Sequence, residues 1–150
     1  MKKLSLFLLT VLSINLYAKD PEPAKLRYSE DFILEQVLKL KNWDRRPEVP
    51  VPEYHFESQT PLKFFQDMIE EQWGMRPDRI TNAFAVKHNL VFISDDAAYY
   101  ERTGRCMDDS VAHELTHYLQ AKYKGWDLND DSLEWDAIDI QTQFREKFCK

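Results

Sequence analysis

Histidine is scarce in this chain: His55, His88, His113 and His117 are the four present among 150 residues, so an imidazole-based site has few positions to draw on. Cysteine is scarcer still, with Cys106 and Cys149 alone, enough for one disulfide. Positive charge is not in excess. Twenty Lys and Arg face 26 Asp and Glu, a formal charge of −6, which argues against nucleic acid or an anionic lipid surface as partner. No apolar run reaches the roughly 20 residues that a bilayer-spanning helix needs. The longest, residues 4 to 16, is broken by Ser5, Thr10, Ser13 and Asn15. There is no internal repeat and no low-complexity tract.

That short run has another reading. Met1-Lys2-Lys3, the apolar stretch to Leu16, and then Tyr17-Ala18 have the layout of a secretory signal peptide. Cleavage is expected after Ala18, although Leu16 is bulkier than the small residue preferred two positions earlier. No cysteine follows that could carry a lipid. The expectation is therefore a periplasmic or secreted chain with no membrane insertion after cleavage. Removing residues 1–18 takes away two lysines and leaves 132 residues carrying −8, a length suited to one domain with one core. In an oxidising compartment the cysteine pair favours a Cys106–Cys149 disulfide, tying the chain end to the segment before His113. The alternative is that Cys106 is a thiolate ligand, as in the metal-dependent deformylases.

Residues 19–28, with Pro21 and Pro23, read as an extended arm ahead of a domain spanning 29–150. Ser29 caps a helical pattern carrying Phe32, Ile33, Val37 and Leu40 on one side. Pro47, Pro50 and Pro52 rule out a regular helix between Arg45 and Thr60, and Tyr54 and Phe56 alternate with polar neighbours as in a short edge strand. Thr60-Pro61 is expected to cap and open a second helix through Leu62, Phe65, Ile69 and Trp73, stopped by Gly74. Residues 83–86 and 90–93 flank Lys87-His88-Asn89 as the arms of a β-hairpin. Its second arm is continuously apolar, as a strand buried on both faces is. Asp95 to Arg105 reads as a connecting segment. Asp108-Asp109-Ser110 then supplies acidic residues for the start of a helix ending at Gly125, and a last helix begins at Asp130-Asp131-Ser132 with Leu133, Ala137, Ile140, Phe144 and Phe148 on one stripe.

Within the helix before Gly125, residues 113–117 read His-Glu-Leu-Thr-His. At 3.6 residues per turn, His113 and His117 project from one face with converging imidazoles, as two ligands of a tetrahedral zinc must. Glu114 lies about 100° round the helix, outside the ligand shell but near enough to take a proton from a metal-activated water. A third ligand four or more residues on cannot be histidine, because Gln120 and Tyr123 stand where an extended form of the motif has glycine and histidine. A carboxylate on the following helix remains.

The segment 111–117, Val-Ala-His-Glu-Leu-Thr-His, resembles the active helix of the thermolysin-type zinc peptidases, the gluzincins. Glu134-Trp135-Asp136-Ala137 resembles the Glu-x-x-Ala run that bears their third ligand. The resemblance covers about residues 106–141. It implies an α+β, zincin-like minimal catalytic domain in which a small antiparallel sheet or hairpin packs on the motif helix and on a C-terminal glutamate-bearing helix. It also implies Zn2+ as cofactor, His113, His117 and Glu134 as ligands, and Glu114 as general base. Asp136 is the alternative ligand. The pattern departs after Ala137, where Ile138 stands at a position at which related chains often have an aspartate supporting a ligand histidine; Asp139 follows and is the other candidate for that support. A peptide or protein substrate is expected along residues 90–94, in the place of the group's substrate-binding edge strand. Tyr99, Tyr100, Tyr123 and His88 are the candidates for stabilising an oxyanion.

The expected function is thus exported, zinc-dependent peptide hydrolysis. Two rivals come from other classes: a non-catalytic zinc-binding envelope protein with a degenerate peptidase fold, and a metal-free interaction domain held by its disulfide.

Overall fold

The computed structural model describes residues 21–150; the expected signal segment, 1–18, lies outside the described residues. The elements run α1 (Glu30–Lys41), β1 (Glu53–Phe56), α2 (Leu62–Trp73), β2 (Ala83–Ala85), β3 (Leu90–Ile93), α3 (Ala97–Thr103), α4 (Met107–Lys124) and α5 (Ser132–Phe148). Among the described residues no helix is long and apolar enough to cross a membrane.

The three strands form one mixed sheet in the order β1-β3-β2, with β1 parallel and β2 antiparallel to β3. Successive side chains of β3 point to opposite faces. Val91 and Ile93 join the core of α1, α4 and α5, whereas Leu90 and Phe92 pack with Phe65 and Ile69 of α2. A strand sandwiched between two helical layers has no wet face, which is why it is apolar at all four positions. At about 1.5–3 kcal/mol per fully buried large apolar side chain, these contacts fix the sheet between its helices.

Four details differ from what the residues alone suggested. The segment after Asp95 is not a plain connection: α3 forms there, capped by the Asp96 carboxylate on the Ala98 N–H and closed by Gly104 at φ +64°. Pro61, not Thr60, sits at the N-cap of α2, because the Thr60 hydroxyl donates instead to Phe56 O at 2.7 Å. Asp108, expected among the residues that start α4, lies inside its buried first turn, after the N-cap Cys106: it accepts the backbone N–H groups of Arg27 and Tyr28 at 2.9–3.1 Å and so fastens residues 21–28, which lack regular secondary structure, to the domain. Finally, β3 is the central strand. Its backbone groups are paired on both sides, so a peptide cannot add along residues 90–94 as expected. The edge beside α4 belongs to β2.

The ends of α4 and α5 are joined covalently. Cys106, the N-cap residue of α4, is disulfide-bonded to Cys149 across a separation of 43 residues, and the deformylase-like role for Cys106 does not arise.

Candidate metal centre and cleft

Helix α4 holds the centre rigidly. It begins in a capping box between Cys106 and Asp109 and ends at Gly125 with φ +66°, a left-handed conformation that glycine adopts without strain. Val111, Leu115 and Tyr118 bury one side completely, so the opposite side is presented to the β2 edge and to α5.

On that side the imidazoles converge. His113 Nε2 and His117 Nε2 are 3.2 Å apart, and Glu134 places Oε1 3.2 Å from His113 Nε2 and Oε2 3.1 Å from His117 Nε2. A tetrahedral zinc with bonds of about 2.0–2.1 Å holds neighbouring donor atoms roughly 3.3 Å apart. The two nitrogens thus already stand an edge of such a tetrahedron apart, with a Glu134 oxygen near each.

The outer ring nitrogens show which tautomer is present. Gln120 Nε2 donates to Leu133 O at 3.0 Å and to Asp136 Oδ2 at 2.8 Å, and Gln141 Nε2 donates to Asp109 Oδ1 at 2.8 Å. Both amide orientations are therefore set by acceptors, leaving Gln120 Oε1 to accept from His117 Nδ1–H at 2.8 Å and Gln141 Oε1 to accept from His113 Nδ1–H at 3.1 Å. With Nδ1 carrying the proton on each neutral ring, the two Nε2 lone pairs face each other and a carboxylate. Only a cation or a shared proton relieves that arrangement. Burial, and then the neighbouring His117, hold the His113 imidazole below its ordinary pKa, which favours the neutral, ligating form.

The alternative acids sit elsewhere. Asp136 is engaged by Lys41 Nζ at 2.5 Å and by Gln120, so it reaches His117 only through the glutamine. Asp139 accepts from Gln143 Nε2 at 2.7 Å on the exposed side of α5 and touches no histidine. Sequence reasoning missed both glutamines. A signal existed: Gln120 stands three residues after His117, within reach on the same helix face.

Glu114 is 5% exposed at the floor of the cleft. Burial, with the charge of Glu134 added, pushes its carboxyl up to about 8, opposed by the Phe84 backbone N–H that donates to it. The cleft has a volume of about 280 Å³ and is lined by His113, Glu114, His117 and Glu134 on the helical side, facing Asn82 to Phe84 and Gln72-Trp73. None of the four expected oxyanion donors lines it. Tyr100 donates to Ser94 O, Tyr123 accepts from Arg46 N–H, Tyr99 accepts from Arg105, and His88 lies in the next groove.

The sheet, the helix carrying His113-Glu114-x-x-His117 and the helix carrying Glu134 together fit a zincin-like fold whose His113, His117 and Glu134 cluster could hold a metal ion. Comparison of the chain with known families, with curated proteins and with solved structures finds no match.

Proposed function

We propose that the chain is an exported zinc peptidase of the gluzincin type, reduced to a single domain. The observation that carries this reading is the convergence of His113 Nε2, His117 Nε2 and a Glu134 carboxylate at 3.1–3.2 Å, beside a second, buried carboxyl that is not part of the cluster. His113, His117 and Glu134 would hold the ion; when bound, zinc would acidify a water and polarise the peptide carbonyl.

The remaining work falls to the chain's own groups. Glu114 accepts the proton of the attacking water and returns it to the leaving amine. The Phe84 N–H donating to it fixes the carboxylate against the β2 edge, where an extended peptide can pair with backbone groups. Asn82 Oδ1 accepts from Ser94 N–H at 2.8 Å, which leaves its Nδ2 for a substrate carbonyl in the cleft.

The test is cleavage of a randomised peptide mixture followed by mass spectrometry. The zinc-loaded protein should cut it, a chelator should stop it, and Glu114→Gln should lower turnover by about 10²–10⁴-fold while retaining the metal. Bound zinc with no cleavage of any peptide would instead favour a non-catalytic zinc-binding module.

A further inference from the structure

The last turn of α2 reaches over the open edge of β2. Gln72 Nε2 donates to Phe84 O at 3.0 Å, and Gln72 Oε1 accepts from Val86 N–H at 2.9 Å. One carboxamide thus takes the carbonyl of Phe84 in β2 and the N–H of Val86, the first residue of the turn that follows β2. A residue of a strand added in parallel takes that same pair with its own backbone N–H and C=O.

The brace is not needed to hold α2. Phe65 and Ile69 of that helix are completely buried against the sheet, and Gln66 Nε2 donates to Pro77 O at 2.8 Å. Gln72 itself is exposed and its bond to Val86 N–H is open to water, while that to Phe84 O is part-buried, so displacing the pair costs less than breaking two buried bonds. The other outward-turned group of this edge, the Phe84 N–H, goes to Glu114.

Gln72 also divides two cavities. With Trp73 and Leu128 it lines both the metal cleft and an adjoining groove of about 490 Å³. Met68, Val86 and Trp126 complete the apolar lining of that groove, and Trp73 and Trp126 are 39% and 44% exposed. The two part-exposed indoles give this groove an apolar portion beside the strand end, while Glu71, Lys87, His88 and Asp127 line the rest.

We propose that the Gln72 carboxamide stands in for one residue of the substrate: an extended polypeptide displaces it from Phe84 O and Val86 N–H and lays a bulky apolar or aromatic side chain between Trp73 and Trp126. This rests on the peptidase reading, and it adds to that reading both a preference for such a side chain and a latch that an incoming chain must open.

The experiment separates the two. In the zinc-loaded Glu114→Gln protein, which binds without cutting, the probe is the blocked peptide acetyl-Ala-Ala-Phe-Ala-Ala-amide, titrated against backbone amide shifts. The Val86 N–H resonance should move on binding. Adding Gln72→Ala should tighten Kd by about five-fold, since one exposed and one part-buried hydrogen bond need no longer be broken. Gln72→Glu, which still accepts from Val86 N–H but cannot donate to Phe84 O, should fall between. Replacing the probe's Phe by Asp should weaken binding by about ten-fold or more. Unchanged or weaker binding in Gln72→Ala, a Val86 resonance that does not move, or no binding of the probe to any variant would overturn the proposal. If the protein with Glu114 intact cuts peptides yet Gln72→Ala binds as before, the latch fails and the peptidase stands. If Gln72 is displaced but nothing is ever cut, the latch stands and the peptidase fails.

Discussion

Replacing Gln141 by Leu removes two hydrogen bonds and keeps the side-chain volume, so its consequences can be worked through atom by atom. His113 Nδ1–H loses its acceptor at 3.1 Å, and the completely buried Asp109 loses the amide that donates to it at 2.8 Å. Asp109 retains the Cys106 N–H and Arg105, each at 3.3 Å, with Arg145 at 3.9 Å, so its charge stays compensated. Losing a buried hydrogen bond to a charged acceptor should cost about 1.5–3 kcal/mol of stability. The effect on the metal is separate. Without an acceptor at Nδ1 the ring is free to change tautomer and tilt, and loss of such an outer partner lowers zinc affinity by about 10–100-fold. The assay is competition with a chromophoric chelator at neutral pH, together with the visible spectrum of the cobalt-substituted protein, which reports ligand geometry rather than folding. Gln143→Leu, two residues on and paired only with exposed Asp139, is the control and should change neither readout. A zinc Kd within about two-fold of wild type, with an unaltered cobalt spectrum and a lowered melting temperature, would refute the reasoning and reduce Gln141 to a packing residue.

Two further outcomes follow from the fold. Opening the Cys106–Cys149 bond, which closes a span of 43 residues, should lower unfolding free energy by ~4 kcal/mol in denaturant titrations with and without reductant; an unchanged midpoint would show that the helix ends are held by other contacts. Hydrogen bonds from Lys63 and Arg76 hold the exposed Asp67 carboxyl below its usual range, so it should titrate below 3.8 by NMR. A depressed folded-state value stabilises above the unfolded value and is lost as pH falls, so this contribution disappears on acidification; titration at or above 3.8 would remove it.

What could be read from the residues was whatever depends on local spacing. The i, i+4 histidines had to share a helix face, the four-residue apolar run had to be buried on both sides, and Gly125 had to end a helix. Long-range pairing was not legible. Nothing in Glu53–Phe56 says that it lies parallel to β3, yet that pairing makes β3 central, so the strand expected to carry a substrate has no free edge. The support of the ligand histidines was misread for a chemical reason. Carboxylates were sought as their direct partners, whereas each ring meets a glutamine that relays to an acid, Asp109 behind His113 and Asp136 behind His117. A glutamine in a polar helix carries no periodic or compositional mark, so only the fold distinguishes Gln141 from Gln143.

The most direct measurement is zinc stoichiometry and affinity for the wild type and for His113→Ala, Glu134→Ala and Asp136→Ala, each purified folded. The account predicts one zinc per chain, lost or greatly weakened in the histidine and Glu134 variants and kept in Asp136→Ala with at most about a ten-fold fall, because Asp136 acts only through Gln120. A wild-type chain that binds no zinc, or zinc lost with Asp136 and kept without Glu134, would contradict it.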